Sequence, residues 1–242
     1  MYKKLENKRL IRLSTARCRF YESLVLGSSV LDIGCLGFRE VYNAQQMGRE
    51  DIKHIGVDYM PPDEGVVPEG YSFKQVDLNE DKLPFADDSI DGVVASHVLE
   101  HLKDPVGFIR ECIRVCKPGG VVYLEAPSER SLLIPRMPFK HDMFFSISFY
   151  DDPTHISRPW TPQAFYRLAC YFTCKPLLVG YVTSWKHRLL FPFSLPFALI
   201  TKNGKWLERI LWLTLGWSCY VLLQKPVNSH GELPFFYYVP KR

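Results

Sequence analysis

The alternation of short apolar runs with segments of helical spacing constrains this chain most. Runs at 29–33, 53–57, 71–76, 90–95 and 121–124 are rich in Val, Ile and Tyr and bounded by Gly, Asp or Pro, so they read as strands. Between them, 38–47 and 104–116 carry helical spacing. In the second, Val106, Ile109, Ile113 and Cys116 recur at helical intervals until Lys117-Pro118-Gly119-Gly120 is expected to stop it. Strands alternating with helices require right-handed crossovers and a mostly parallel sheet covered on both faces. The predicted class is therefore α/β and doubly wound, with ligands expected beyond the carboxyl ends of the strands.

After Glu125 the rhythm breaks. A stretch rich in Pro and aromatics runs to Trp160, followed by an expected helix at 161–171 and a strand at 177–182. The segment 185–217 inserts two apolar helical stretches, with Pro192, Pro196 and Gly204 expected as breaks. The last strand has two candidates, 219–224 and 235–239, of which the first is preferred. If the second held, 206–223 would form an apolar helix carrying Glu208 and Arg209, marginal for a span that needs about 20 apolar residues.

Composition sharpens this division. The 242 residues suit a single domain, and 47% apolar with 23% charged residues excludes a disordered tail or a disulfide-stapled miniprotein. Residues 1–130 hold 17 Lys/Arg against 21 Asp/Glu, whereas 131–242 hold 13 against 5, and all five Trp lie at or after Trp160. The basic, aromatic half could suit an anionic substrate, a lipid surface or nucleic acid. Seven scattered cysteines without a CxxC point to free thiols in a reducing compartment, hence a cytoplasmic chain. Near the N-terminus, Leu10, Leu13, Arg17, Phe20 and Leu24 share one helical face leading into the first strand, and the interspersed arginines argue against a secretory leader.

The chemistry-bearing residues sit at predicted strand ends. VLDIGCLG at 30–37 closes the first strand and HIGVD the second, ending on Asp58. An acidic residue about 20 or more positions beyond a glycine turn is placed to accept from two ribose hydroxyls. A dinucleotide fingerprint from Gly34 would need glycines where Leu36 and Arg39 stand, so a pyrophosphate cradle is poorly supported.

The sequence resembles the class I S-adenosylmethionine-dependent methyltransferases, in particular the small-molecule group that includes the ubiquinone-biosynthesis type. The resemblance covers residues 20–171 and rests on VLDIGC at 30–35, GVD at 56–58, VDLNEDKLPFADDSIDGVVASHVLEHL at 76–102 and DPVGFIRECIRVCKPGGVVYLEAPS at 104–128. It implies a seven-stranded Rossmann-like sheet with a helical, aromatic-rich insertion between the last two strands. It also implies S-adenosylmethionine as cofactor. On the family's pattern, Asp32 and Gly34 would shape the loop under the methionine moiety, Asp58 would hold the ribose, and Asp77 and Leu78 the adenine. Ser96 and His97 would lie beside the sulfonium, while packing suffices to explain His101 and Leu102. One departure stands out: the family's DxGxGxG run has Leu36 and Phe38 at its second and third glycine positions.

Methyl transfer from a sulfonium needs alignment rather than a metal, so no metal is expected. An oxygen acceptor also needs a base, for which His155 is the first candidate, followed by His97 and His141; Arg158 and Arg136 could hold an anionic acceptor. The expected acceptor is a small or lipid-linked molecule. The aromatics of 185–217 are expected first as a helical cover that packs on the sheet or walls the acceptor pocket; second, Lys186, Arg188, Lys202, Lys205 and Arg209 beside them suit peripheral contact with anionic lipid, a true span ranks last, and no nucleic acid is expected. Two rivals stay open: a non-catalytic interaction module with a degenerate glycine loop, and a nicotinamide-dependent oxidoreductase.

Overall fold

The computed structural model describes residues 15–63, 67–134, 138 and 148–227. Seven strands, β1 Ser29–Ile33, β2 Lys53–Asp58, β3 Ser72–Gln75, β4 Ile90–Ser96, β5 Cys116–Pro127, β6 Lys175–Tyr181 and β7 Ser218–Gln224, form one sheet in the order β3-β2-β1-β4-β5-β7-β6. β7 runs antiparallel to both its neighbours, β5 and β6, and every other pairing is parallel. Strand order reverses between β1 and β4, and such a switch point opens a crevice at the carboxyl ends of the strands.

The central strands are buried on both faces, which is why β1 and β4 read as nearly continuous apolar runs. Their side chains alternate between two cores. Leu31, Ile33, Val93 and Ala95 face one core with Ile109 and Cys112 of α3 (Pro105–Val115) and Phe165 and Ala169 of α4 (Pro162–Tyr171). Val30 and Val94 face the other, with Phe20 and Tyr21 of α1 (Thr15–Glu22) and Ala44 of α2 (Arg39–Gln46). Helix α3 starts where its pattern predicts: the Asp104 carboxylate accepts the Gly107 N–H at 2.8 Å, and Pro105 occupies the first turn, where no N–H is needed.

Three expectations are corrected or resolved. The Lys117 to Gly120 stretch does not merely stop α3; it belongs to the irregular start of β5, where Gly119 at φ +79° donates its N–H to the Lys225 carbonyl. Pro192 and Pro196 do not break the insert but lie inside α5 (Trp185–Ile200), both on its exposed side. Gly204 opens α6 (Gly204–Leu215) behind the Asn203 cap. Among the described residues the last strand is the preferred candidate, β7. The rival at 235–239 lies outside the described residues. Gly216, at φ +80° and with Tyr181 Cβ 2.9 Å from where its own Cβ would stand, ends α6 and excludes a continuous helix over 206–223. Among the described residues no helix is long and apolar enough to cross a membrane. All seven cysteines are free thiols.

Candidate functional site

At the switch point lies a cavity of ≈ 490 Å³ whose walls include Gly34, Leu36, Asp58, Asp77, Leu78, His97 and His101. Its floor is the loop between β1 and α2. Gly34 adopts φ +74°, donates its N–H to the Val57 carbonyl at 2.9 Å, and leaves no room for a Cβ, which would stand 2.7 Å from Val98 Cγ2. The loop bends again at Gly37 (φ +88°) and Phe38 (φ +50°). Thus Phe38 occupies a conformation that glycine ordinarily supplies. Its ring is buried edge-on against Tyr71, with centroids 4.9 Å apart, whereas Leu36 turns to the cavity and is 36% exposed. Asp32 is buried beneath the loop, where the Tyr71 hydroxyl donates to it at 3.4 Å. Burial and then the neighbouring Glu40 push its carboxyl well above the usual range, with Arg17 and Tyr71 opposing them.

Asp58 ends β2 with its side chain almost wholly buried, accepting the Met60 N–H at 3.2 Å on Oδ1. Asp77 is exposed and accepts the Asn79 N–H at 2.9 Å on Oδ1. Both carboxylates border one cavity beside the apolar Leu78, a donor-seeking pair suited to a nucleoside's hydroxyl and amino groups. The volume lies in the range of small-molecule sites, about 300–1,000 Å³. The residues therefore fit the adenosyl group that the motif order implies.

The histidines divide. His97, in the left-handed region at φ +57°, sits between carboxylates: Nδ1 is 3.3 Å from Glu100 Oε1 and Nε2 is 3.5 Å from Glu125 Oε1. Burial alone would lower its pKa, but the two acids outweigh this and hold the ring at about 9. It is an imidazolium at neutral pH, with no lone pair to take a proton. Burial would likewise raise Glu125, yet His97 and Arg17 keep it at about 2. Arg17 binds Glu40, Glu125 and the Ser96 hydroxyl together, so Ser96 faces this network rather than the cavity.

The His155 side chain is 5% exposed and does not border the cavity; its Nδ1 donates to the Phe149 carbonyl at 2.7 Å, and its ring centroid lies 5.0 Å from that of His101. His101 does border the cavity. Its Nδ1 meets the Thr154 carbonyl at 3.1 Å, and since a carbonyl only accepts, Nδ1 carries a proton, so that in the neutral ring the lone pair belongs to Nε2. Glu100, His101 and His155 bring one donor atom each within 4.8 Å of one another, the one grouping among the described residues with the donor set for a cation. His141 and Arg136 lie outside the described residues. Arg158 borders a separate open groove of ≈ 510 Å³ with Arg110 and Arg167, which contains none of the residues assigned to the cofactor.

Sequence reasoning missed His101, assigned to packing, and the acids Glu100 and Glu125. A signal was present: Glu125 is the lone charge in the apolar run of β5, and the register places it opposite Ser96. Arg17, read as part of an apolar helix face, was the matching signal on α1.

A family model described as "Methyltransferase domain" matches residues 31–124. A probable S-adenosylmethionine-dependent methyltransferase of Mycolicibacterium smegmatis is 38% identical over 106 residues, 42% of this chain and 39% of that protein. A ubiquinone biosynthesis O-methyltransferase of Sodalis glossinidius is 32% identical over 108 residues, 41% of each chain. The chain thus aligns with about two fifths of the length of these curated relatives. Among solved structures, a S-adenosylmethionine-dependent methyltransferase from Archaeoglobus fulgidus matches with TM-score 0.56 and 25% identity over 87% of this chain and 92% of that one. The putative methyltransferase of Haloferax volcanii, solved with its Trm112 activator, shares the fold at TM-score 0.62 and 17% identity, over 87% of each chain.

Proposed function

Since the chain belongs, through residues 31–124, to the class I S-adenosylmethionine-dependent methyltransferases, we propose that it methylates an oxygen atom of a small or lipid-linked acceptor. One observation carries the reading: Asp58, Asp77 and His101 border a single cavity at the switch point. S-adenosylmethionine supplies an electrophilic methyl group on a sulfonium. Asp58 accepts from the ribose hydroxyls, Asp77 from the adenine amino group, and Leu78 covers the ring edge. His101 Nε2 takes the acceptor's proton. His155 is a positioning residue that backs the His101 ring, and the protonated His97 serves as a hydrogen-bond donor rather than the base. The likeness to the Sodalis glossinidius O-methyltransferase supports oxygen as the methylated atom.

Leu36 on the cavity wall favours one second reading, a fold retained for interaction without catalysis. The test supplies labelled S-adenosylmethionine and the purified chain to cell extract split into lipid and water-soluble fractions. Label is expected in an oxygen-linked methyl group, and His101→Ala should slow transfer by about 10²–10⁴ with cofactor affinity kept. No labelled product in either fraction, or an undiminished rate for His101→Ala, would overturn the assignment.

A further inference from the structure

Helix α5 turns its apolar side chains outward. Trp185, Leu189, Phe193, Phe197 and Ile200 follow at helical spacing along one face, and are 67%, 67%, 78%, 60% and 80% exposed. The opposite face, with Phe191, Leu195 and Ala198, packs against Leu207, Ile210 and Leu211 of α6. A surface helix of a water-soluble domain normally shows solvent its polar side, and a contiguous apolar stripe of this kind marks an interaction site.

Charge says what the stripe meets. The hairpin carries Lys186 and Arg188 at one end of α5, Lys202 and Lys205 at the turn, and Arg209 on α6, all exposed. Its single acid, Glu208, is pushed by burial up to about 7. A second copy of the chain would bring like charges together across this face, whereas an anionic surface pairs with them. Helix α5 is about 24 Å long by its residue count, too short to span a bilayer and suited to lying in its interface.

We propose that the outer face of α5, with the cations of the α5–α6 hairpin, is the surface on which this chain docks to an anionic lipid bilayer. The apolar stripe enters the boundary between headgroups and acyl chains, and the cations meet the headgroups. The docked hairpin is coupled to the cavity. Trp212 of α6 stacks on Trp217 with centroids 4.1 Å apart, and both rings lie against His97, at 6.2 and 5.6 Å. That arrangement suits a lipid-linked acceptor, a point that rests on the catalytic reading; docking itself does not.

Flotation of the full chain with vesicles tests the proposal. The chain should float with phosphatidylcholine vesicles containing phosphatidylglycerol at low salt, and less with phosphatidylcholine alone or at high salt. The double variant Phe193→Ser with Ile200→Ser should weaken partitioning by about tenfold or more. Lys202→Glu with Lys205→Glu should weaken it further than salt alone, each lost cation costing about fivefold. Both variants should keep wild-type affinity for S-adenosylhomocysteine. Flotation by a protein that binds no S-adenosylhomocysteine would still support docking while refuting the catalytic reading. The proposal is overturned if the chain stays with the soluble fraction at low salt or if the double Ser variant floats as well as wild type. A dimer that this variant dissolves, without vesicle binding by the wild type, would also overturn it.

Discussion

The side chains around the cavity differ chiefly in which protonation state their neighbours hold. His97 has a pKa of about 9 against an ordinary 6.5, so its protonation stabilises the folded state fully below pH 6.5, and that contribution disappears as pH rises through about 9. Chemical denaturation across this window should show falling stability in wild type and a flatter profile in His97→Gln. Gly34 makes a second test. Gly34→Ala forces a Cβ against Val98 in a left-handed conformation and should destabilise the fold by about 1–2 kcal/mol, read as a lower midpoint of thermal unfolding. Asp58, Asp77 and Gly34 were legible because each stands at a strand end where motif spacing has physical meaning. His101 was not, since only the three-dimensional fold places its ring on the cavity wall with Nδ1 against the Thr154 carbonyl.

At the scale of elements, α1 is held to the sheet by a buried charge rather than by apolar packing alone. Arg17 pairs with Glu40 of α2 and Glu125 of β5, while the Tyr21 hydroxyl donates to Glu40 Oε2 at 2.6 Å and the Tyr123 hydroxyl to Glu125 Oε2 at 2.5 Å. Removing the cation leaves two buried acids without it. Arg17→Met should therefore cost about 3–5 kcal/mol in urea unfolding, well above the effect of an exposed arginine such as Arg19. Periodicity identified α3, α4 and the inner strands because each buries a face in a regular pattern. It failed at α5, where prolines normally interrupt a helix; Pro192 and Pro196 fall on the side that needs no tertiary packing, so the helix continues through them. It also left β7 ambiguous, because two C-terminal runs have the same strand character, and only pairing with β5 and β6 places 218–224 in the sheet.

For the whole molecule, the charge asymmetry follows the architecture. The acidic half builds β1 to β5 and carries the carboxylates of the cavity; the basic, aromatic half supplies α5, α6 and the tryptophans beside His97. Composition alone could not separate an aromatic cover from an aromatic surface, since both have the same residues. Exposure along α5 makes that separation. The altered glycine run is likewise resolved only in three dimensions: Phe38 adopts the left-handed turn and packs away from the cavity, leaving Leu36 as the one departure that touches it. The account therefore turns on whether this cavity binds the cofactor. Calorimetric titration of the full chain with S-adenosylhomocysteine should give one site per chain. Asp58→Ala should weaken binding by about tenfold to a hundredfold, the worth of a charge-assisted hydrogen bond, and NAD should give no heat of binding. No binding of S-adenosylhomocysteine to the wild type, or equal binding to Asp58→Ala, would contradict it.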